Sequence, residues 1–131
     1  MSSVHPPPTR LLERQTEGVL MSFLRGDKRD PATPGRYLRA LDELTSGYRE
    51  DPSSQVKLFP SVCDSMVVTR GISFTSLCAH HVLPYWGKAV FGYIPDGVIL
   101  GLSKFSRILR CFSRRLTTQE DLVERVSEFL N

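Results

Sequence analysis

Apolar side chains recur along the chain with two different periods, and the change of period separates helical from extended segments. Near the start they return every three to four positions, which predicts an amphipathic helix that ends at Gly26. A second helix is predicted after the break at residues 30–34, with Thr33 as its cap, Pro34 as its first residue and Gly47 as its stop. The apolar positions are Leu11, Leu12, Val19, Leu20, Phe23 and Leu24 in the first helix and Tyr37, Leu38, Leu41 and Leu44 in the second.

The middle of the chain is rich in β-branched and aromatic residues and predicts two strands. Residues 66–74 form the first strand, and residues 87–94 form the second, which ends in the turn at residues 95–97. Residues 98–100 then run briefly extended. The loop at residues 76–84 therefore lies between two strands.

Two more amphipathic helices are predicted in the last third of the chain. Ser103 is the expected N-cap of the first, and Thr117 with Glu120 forms a capping box at the start of the second. The inward positions are Phe105, Ile108, Leu109 and Phe112 in the first helix and Leu122, Val123, Val126, Phe129 and Leu130 in the second. The predicted core order is β-β-α-α, and a hairpin of two strands is a narrow sheet for two helices to cover.

Length and composition place the chain among soluble proteins with a single core. It has 131 residues, 40% hydrophobic and 24% charged, with a net charge of +3 that does not indicate a nucleic-acid partner. Three cysteines without framework spacing indicate a reducing compartment, and no apolar run reaches membrane-spanning length or forms a signal peptide. We therefore predict a cytoplasmic protein with a disordered lead (1–9), an N-terminal helical segment (10–48) and a domain at 58–131.

The loop at residues 76–84 concentrates the reactive side chains. Cys78 and His81 are spaced C-x-x-H, so one loop can present a sulfur and a nitrogen to the same ion, a pair that zinc accepts at tetrahedral angles. His80 lies between them and is expected to point elsewhere, able to move protons near neutral pH. The alternative is a turn that carries a buried thiol and two surface histidines.

Several groups of residues occur with this loop in one register over residues 30–131. They are Thr33-Pro34-x-Arg36, Thr45-Ser46-Gly47-Tyr48, Ser76-Leu77-Cys78-x-His80-His81-x-x-Pro84, Gly87-Lys88-Ala89, Tyr93-Ile94-Pro95, Gly101-Leu102-Ser103-Lys104-x-x-Arg107 and Arg114-Arg115-Leu116-x-x-Gln119-Glu120-x-Leu122. Together these motifs resemble the GTP cyclohydrolase I family.

The resemblance implies an α+β tunnelling fold (T-fold), an antiparallel four-stranded sheet with two helices inserted between its second and third strands. N-terminal helices followed by β-β-α-α are present here, and the last two strands of that sheet are expected to be absent from this chain. Family subunits assemble into barrels and toroidal decamers with active sites at subunit interfaces. The resemblance therefore implies a ring-type homo-oligomer or a complementing chain as partner.

The family's reaction is the zinc-dependent hydrolytic opening of the guanine ring of GTP, which gives dihydroneopterin triphosphate and formate for folate and pterin synthesis. Carried over by position, Cys78 and His81 are expected zinc ligands and His80 is the expected proton-transfer residue. GTP or a related purine nucleotide is the implied ligand and Zn²⁺ the implied cofactor, with no nucleic acid or membrane as partner.

The remaining carried-over residues are expected to bind the substrate. Ser103, Lys104 and Arg107 would meet the triphosphate, and a helix N-terminus with these two cations is an anion site in its own right. Glu120 would accept from the N1–H and amino group of guanine, with Gln119 as a neighbouring substrate-binding residue. The alternatives are plain capping for Ser103 and, for Glu120, the role of capping-box partner to Thr117.

The chain departs from the family pattern in ways that leave its activity open. Ala79 stands where the family has an acidic residue, and Asp121 stands where it usually has an arginine. The family's third zinc ligand, a cysteine, its second catalytic histidine and a phosphate-binding arginine have no counterpart. Cys63, Cys111 and His5 are poor substitutes for the missing ligand, and two protein ligands are expected to bind zinc weakly compared with three.

Three hypotheses follow from these departures. The chain is an enzyme subunit completed by strands from elsewhere, a catalytically degenerate nucleotide-binding or regulatory relative, or a relic that folds poorly and exposes an edge strand. A related pterin or deazapurine reaction is the enzymatic alternative. For Arg114 and Arg115 the choice between a solvated helix face and a phosphate or subunit contact stays open.

Overall fold

The two predicted strands form a β-hairpin. Its tip carries the loop at residues 76–84, which we call the Cys-His loop. The structure, a computed structural model, describes residues 14, 15, 18, 19, 22, 30 and 32–131. Its elements in chain order are α1 (Thr33–Leu44), 3₁₀ turns at Ser46–Tyr48 and Pro52–Gln55, β1 (Leu58–Pro60), β2 (Val67–Cys78), β3 (Pro84–Tyr93), β4 (Val98–Leu100), α2 (Leu102–Ser113), β5 (Leu116–Thr117) and α3 (Gln119–Leu130).

The hairpin of β2 and β3 is the largest paired unit of the described residues. Its antiparallel register runs from Val67 opposite Tyr93 to Leu77 opposite Pro84, with a shift between Thr69 and Ile72. Gly71 lies at this irregularity with a φ of 76°, a conformation that suits glycine because it lacks a Cβ. The predicted strands are confirmed, and the first is extended to Cys78.

Three short strands, of which the sequence analysis identified only β4 as extended, complete the sheets. β1 pairs antiparallel with β4, from Leu58 opposite Leu100 to Pro60 opposite Val98. β5 pairs parallel with the end of β2, placing Leu116 opposite Leu77 and Thr117 opposite Cys78. Strands of two or three residues are too short to show periodicity, so the sequence gives no sign of β1 or β5.

α2 and α3 pack their apolar faces against one face of the hairpin. The buried residues of this core are Ile108, Leu109, Phe112, Leu122 and Val126, and the partly buried residues packed against it are Ile72, Phe74, Ala89, Phe91, Leu100 and Phe129. The predictions that Val123 and Leu130 point inward are wrong, since both are exposed. Each lies one position after a core residue and is turned about 100° away from the stripe formed by Leu122, Val126 and Phe129.

The predicted helix caps are displaced. α1 starts at Thr33 itself, and the carboxylate of Asp30 accepts a hydrogen bond from the backbone N–H of Ala32 at 2.9 Å. Gly101 is the N-cap of α2, so Ser103 lies within its first turn. Thr118 caps α3, with Oγ1 accepting from the N–H of Asp121 at 3.2 Å, because Thr117 is held in β5.

The chain divides into two compact units, Met1–Glu43 and Leu44–Asn131. The predicted lead at residues 1–9 and most of the predicted first helix lie outside the described residues, although Arg14, Gln15, Gly18, Val19 and Ser22 are helical. None of the helices in the described part of the chain is long and apolar enough to cross a membrane.

Candidate functional site

A tight backbone turn shapes the Cys-His loop. The N–H of Cys78 donates to the carbonyl of Leu83 at 2.8 Å, and the N–H of Val82 donates back to the carbonyl of Cys78 at 2.9 Å. Val82 has a φ of 57°, the left-handed conformation that β-branched residues rarely adopt. Such strain persists only where surrounding contacts fix the backbone, so the loop is held in a defined conformation.

The expectation that His80 points away from the Cys78 thiol is wrong, because the two side chains are in contact. Cys78 Sγ lies 3.8 Å from His80 Nδ1, and His81 Nδ1 accepts a hydrogen bond from the N–H of Leu83 at 3.3 Å. While Nδ1 accepts, the neutral His81 ring carries its proton on Nε2. Metal binding by either nitrogen of His81 therefore requires the ring to give up the contact with Leu83.

β5 connects the Cys-His loop to the start of α3. The N–H of Ala79 donates to the carbonyl of Thr117 at 3.2 Å, next to the Cys78–Thr117 pair of the sheet. Gln119 and Glu120 follow two and three residues later in the first turn of α3, and both are exposed. Within one chain, the fold therefore brings the loop and these two polar side chains to the same end of the hairpin.

The capping alternative for Glu120 is removed by the structure. Thr118, not Thr117, is the cap, and its hydroxyl bonds the N–H of Asp121. Thr117 Oγ1 instead donates to the carbonyl of Thr118 at 3.0 Å. Glu120 makes no hydrogen bond or ion pair with other described residues, so its carboxylate is available to a ligand.

The expected phosphate-binding residues lie at the other end of α2. Ser103 and Lys104 are in the first turn of this 12-residue helix, which is about 18 Å long, and β5 follows its last turn. Ser103 is exposed, and its carbonyl accepts from Ser106 Oγ at 3.0 Å. The fold thus keeps this pair apart from the Cys-His loop of the same chain.

A basic cleft lies between α2 and the hairpin. It has a volume of about 830 Å³, and its charged lining residues are Lys88, Arg107, Arg110 and Arg114. Four hydroxyl-bearing residues also line it, namely Ser73, Thr75, Ser106 and Ser113. Arg110 is paired with Glu50 at 3.8 Å, yet no carboxylate is among the lining residues, so the positive charge of the cleft favours an anionic ligand.

The described residues do not contain a complete metal site. No group of three or more His, Cys, Asp or Glu side chains among them is placed to hold a metal ion. The thiol and imidazoles of the Cys-His loop are zinc-type donors, but Cys63 is exposed away from it and Cys111 is buried in α2. Zinc binding would need at least one ligand from outside the described residues.

A second group of polar residues forms contacts that the sequence alone does not reveal. Arg115 is an internal contact: its Nε donates to the carbonyls of Gly47 at 3.0 Å and Cys111 at 2.9 Å. Tyr48 Oη accepts from the N–H of Leu116 at 3.1 Å. The Thr45–Tyr48 and Arg114–Leu116 motifs contain these residues, but sequence motifs do not show that the two meet in space.

Comparisons with known proteins agree on one family. The GTP cyclohydrolase I family profile matches residues 19–131. GTP cyclohydrolase 1 of Chlorobium phaeovibrioides is 41% identical over 129 residues, covering 92% of this chain and 57% of that enzyme. The enzyme of Teredinibacter turnerae is 50% identical over 97 residues, covering 72% of this chain and 53% of the enzyme. The chain spans slightly more than half the length of these curated relatives.

Proposed function

The chain belongs to the GTP cyclohydrolase I family, and we propose that it supplies part of a GTP-hydrolysing site that polypeptide outside these 131 residues completes. Its α+β architecture is consistent with the T-fold of that family. The observation that supports the proposal is the pairing of β5 with β2, because it joins the backbone of the Cys-His loop to the strand that leads into Gln119 and Glu120.

Cys78 and His81 are the proposed zinc ligands, with further ligands supplied from outside the described residues. Zinc, when bound, supplies a polarised water for attack on the guanine ring. His80 is the proposed proton donor to the ring nitrogen, because its imidazole is exposed on the Cys-His loop. Glu120 offers two oxygens side by side to the N1–H and amino group of guanine, and Gln119 binds the base beside it.

Ser103, Lys104 and Arg107 are the proposed triphosphate-binding residues. The helix N-terminus and the two cations attract a polyanion, and Arg107 also lines the basic cleft. Their distance from the Cys-His loop along α2 favours a site that two copies of the chain build together. Homo-oligomer formation is therefore part of the proposal.

The test is reconstitution with the part of a relative that this chain does not cover. We expect the purified chain mixed with the uncovered part of the Chlorobium phaeovibrioides enzyme to bind zinc and convert GTP to a fluorescent pterin. The chain alone should bind zinc weakly and show little turnover. Glu120→Gln should remove most of the reconstituted activity, whereas Glu124→Gln, one turn further along the same helix, should keep it.

A nucleotide-binding protein without catalysis is the second candidate. The lack of a three-ligand metal cluster in the described residues favours it, as does Ala79 in place of an acidic neighbour. In this case GTP would raise the melting temperature of the chain, yet reconstitution would produce no pterin. If GTP neither stabilises the chain nor is turned over by the mixture, both proposals are wrong.

A further inference from the structure

β5 links two parts of the candidate site although it is only two residues long. The strand contains only Leu116 and Thr117, yet it connects the Cys-His loop on one side with Gln119 and Glu120 on the other. Two residues of pairing are marginal by themselves. Other contacts must hold the strand in register.

Those contacts come from Gly47, Tyr48 and Arg115, which we call the β5 clamp. Tyr48 Oη accepts from the N–H of Leu116, and the N–H of Gly47 donates to the carbonyl of Arg114 at 2.9 Å. The Arg115 guanidinium lies 5.2 Å from the centroid of the Phe112 ring and 5.8 Å from that of Tyr48. Its Nε donates to two carbonyls, one on each side of the joint.

The clamp also fits closely around its glycine. A Cβ on Gly47 would meet the backbone carbonyl oxygens of Cys111 and Arg114. On the loop side, Ser76 Oγ donates to the carbonyl of Arg115 at 3.3 Å, and the N–H of Ala79 donates to Thr117. A continuous series of contacts therefore runs from Tyr48 through β5 to the Cys-His loop.

We propose that Tyr48 and Arg115 are positioning residues that fix the guanine-binding end of the site by holding β5 in register. The inference rests on the proposed function for its ligand. It adds residues that do not touch the substrate but set the separation between His80 and Glu120. Among the described residues, the triphosphate-binding candidates Ser103, Lys104 and Arg107 make no hydrogen bond with the clamp, so we expect them to be independent of it.

Amide hydrogen exchange tests, without any ligand, whether Tyr48 holds β5 in register. Tyr48→Phe removes the acceptor of the Leu116 N–H, a bond whose typical contribution corresponds to about a fivefold change in an equilibrium. We expect the amide of Ala79, which Tyr48 does not touch, to exchange about fivefold faster in this variant. Tyr37→Phe, at an exposed tyrosine of α1, should leave that amide unchanged. An unchanged Ala79 amide in Tyr48→Phe would overturn the inference.

Ligand binding tests whether the β5 clamp fixes the guanine-binding end of the site. In calorimetry Tyr48→Phe should weaken GTP binding about fivefold and leave the binding of inorganic triphosphate unchanged. Arg115→Lys should behave in the same way, because lysine keeps the charge but cannot donate from Nε to both carbonyls. Equal weakening of both ligands would indicate general destabilisation and overturn the inference. If the unmodified chain binds neither ligand, the proposed function fails, and the exchange experiment still decides whether the clamp exists.

Discussion

Single residues at the joint between the Ser46–Tyr48 turn and α2 carry constraints that are visible only in three dimensions. Gly47 is the clearest example: its added Cβ would lie 2.7 Å from the carbonyl oxygen of Arg114 and even closer to that of Cys111. Both neighbours are backbone atoms, so they cannot rotate away as a side chain would. The sequence predicted Gly47 as a helix stop, but the reason for glycine here is close approach.

Gly47→Ala is therefore expected to destabilise the chain by about 1–3 kcal/mol, the usual range for overpacking at a tight site. Gly92→Ala provides the matched control, since its Cβ would meet only side-chain atoms at 3.8 Å or beyond. Urea unfolding followed by circular dichroism measures both. Equal midpoints for the two variants would contradict the close approach at Gly47.

A buried thiol next to a carboxylate makes the free energy of unfolding depend on pH. Cys111 Sγ donates to Glu50 Oε2 at 3.2 Å, and Ser46 Oγ donates to Oε1 of the same carboxylate at 3.0 Å. Burial, reinforced by the hydrogen bond and charge of Glu50, raises the pKa of the Cys111 thiol from 9.0 to about 11. The folded state therefore favours the neutral thiol.

Because the pKa of the Cys111 thiol is higher in the folded than in the unfolded chain, the folded state loses stability as the pH rises. Below pH 9 the thiol is neutral in both states, and between pH 9 and 11 it ionises in the unfolded chain first, so the free energy of unfolding falls. We expect this group to contribute a fall of about 1–2 kcal/mol across that window. Cys111→Ala should show a shallower fall than the unmodified chain, whereas Cys63→Ala, at an exposed thiol, should not. Identical pH profiles for all three proteins would show that the thiol is not held neutral.

The candidate site was predictable residue by residue only where the chemistry is local. Cys78, His80 and His81 lie on one loop, so their spacing alone placed them together. Arg115 could not be assigned, because its partners Gly47 and Cys111 come from a distant turn and from the preceding helix. A side chain that bonds across 68 positions leaves no periodic signal in the sequence.

At the level of elements, the sequence predicted the long members of the fold and missed the short ones. β2, β3, α2 and α3 each show a clear period, whereas β1 and β5 are defined by partners far away in the chain. The cap of α3 was predicted one residue too early for a related reason. Thr117 and Thr118 are equally good caps by type, and pairing of Thr117 with Cys78 decides between them.

Thr118→Ala is expected to destabilise the chain by about 1 kcal/mol, since the N–H of Asp121 loses its acceptor. Thr118→Ser keeps the hydroxyl and should retain most of the stability. Thermal unfolding of the two variants beside the unmodified chain measures the difference. A serine variant as unstable as the alanine variant would show that packing of the threonine methyl group, rather than capping, is important at this position.

On the scale of the whole molecule, the fold distributes its chemistry over two ends of one helix. The phosphate-binding candidates at residues 103–107 begin at the N-terminal end of α2. The Cys-His loop lies near the other end of this helix, where β5 follows. Sequence motifs gave the members of both groups but not their separation, which depends on how α2 runs relative to the hairpin. This separation is the physical reason to expect a site shared between copies.

The hairpin presents a face that helices do not cover within the described residues. Alternation along β3 turns Ala89 and Phe91 toward the core and leaves Trp86 and Val90 on the opposite face, where they are 78% and 63% exposed. Ile94, just after β3, and Val68 on β2 are also exposed. Among the described residues, β3 pairs only with β2, so one of its edges is open as well. Apolar side chains beside an open edge favour association.

We therefore expect the chain to self-associate, and Val90→Lys to shift sedimentation toward the monomer by placing a charge on this face. Val123→Lys is the matched control, because Val123 is also 63% exposed but lies on α3, which packs on the other side of the sheet. Sedimentation velocity over a range of concentrations measures both variants. If the two variants sediment alike, the uncovered face of the hairpin is not the contact between copies, and association must use another surface of the chain.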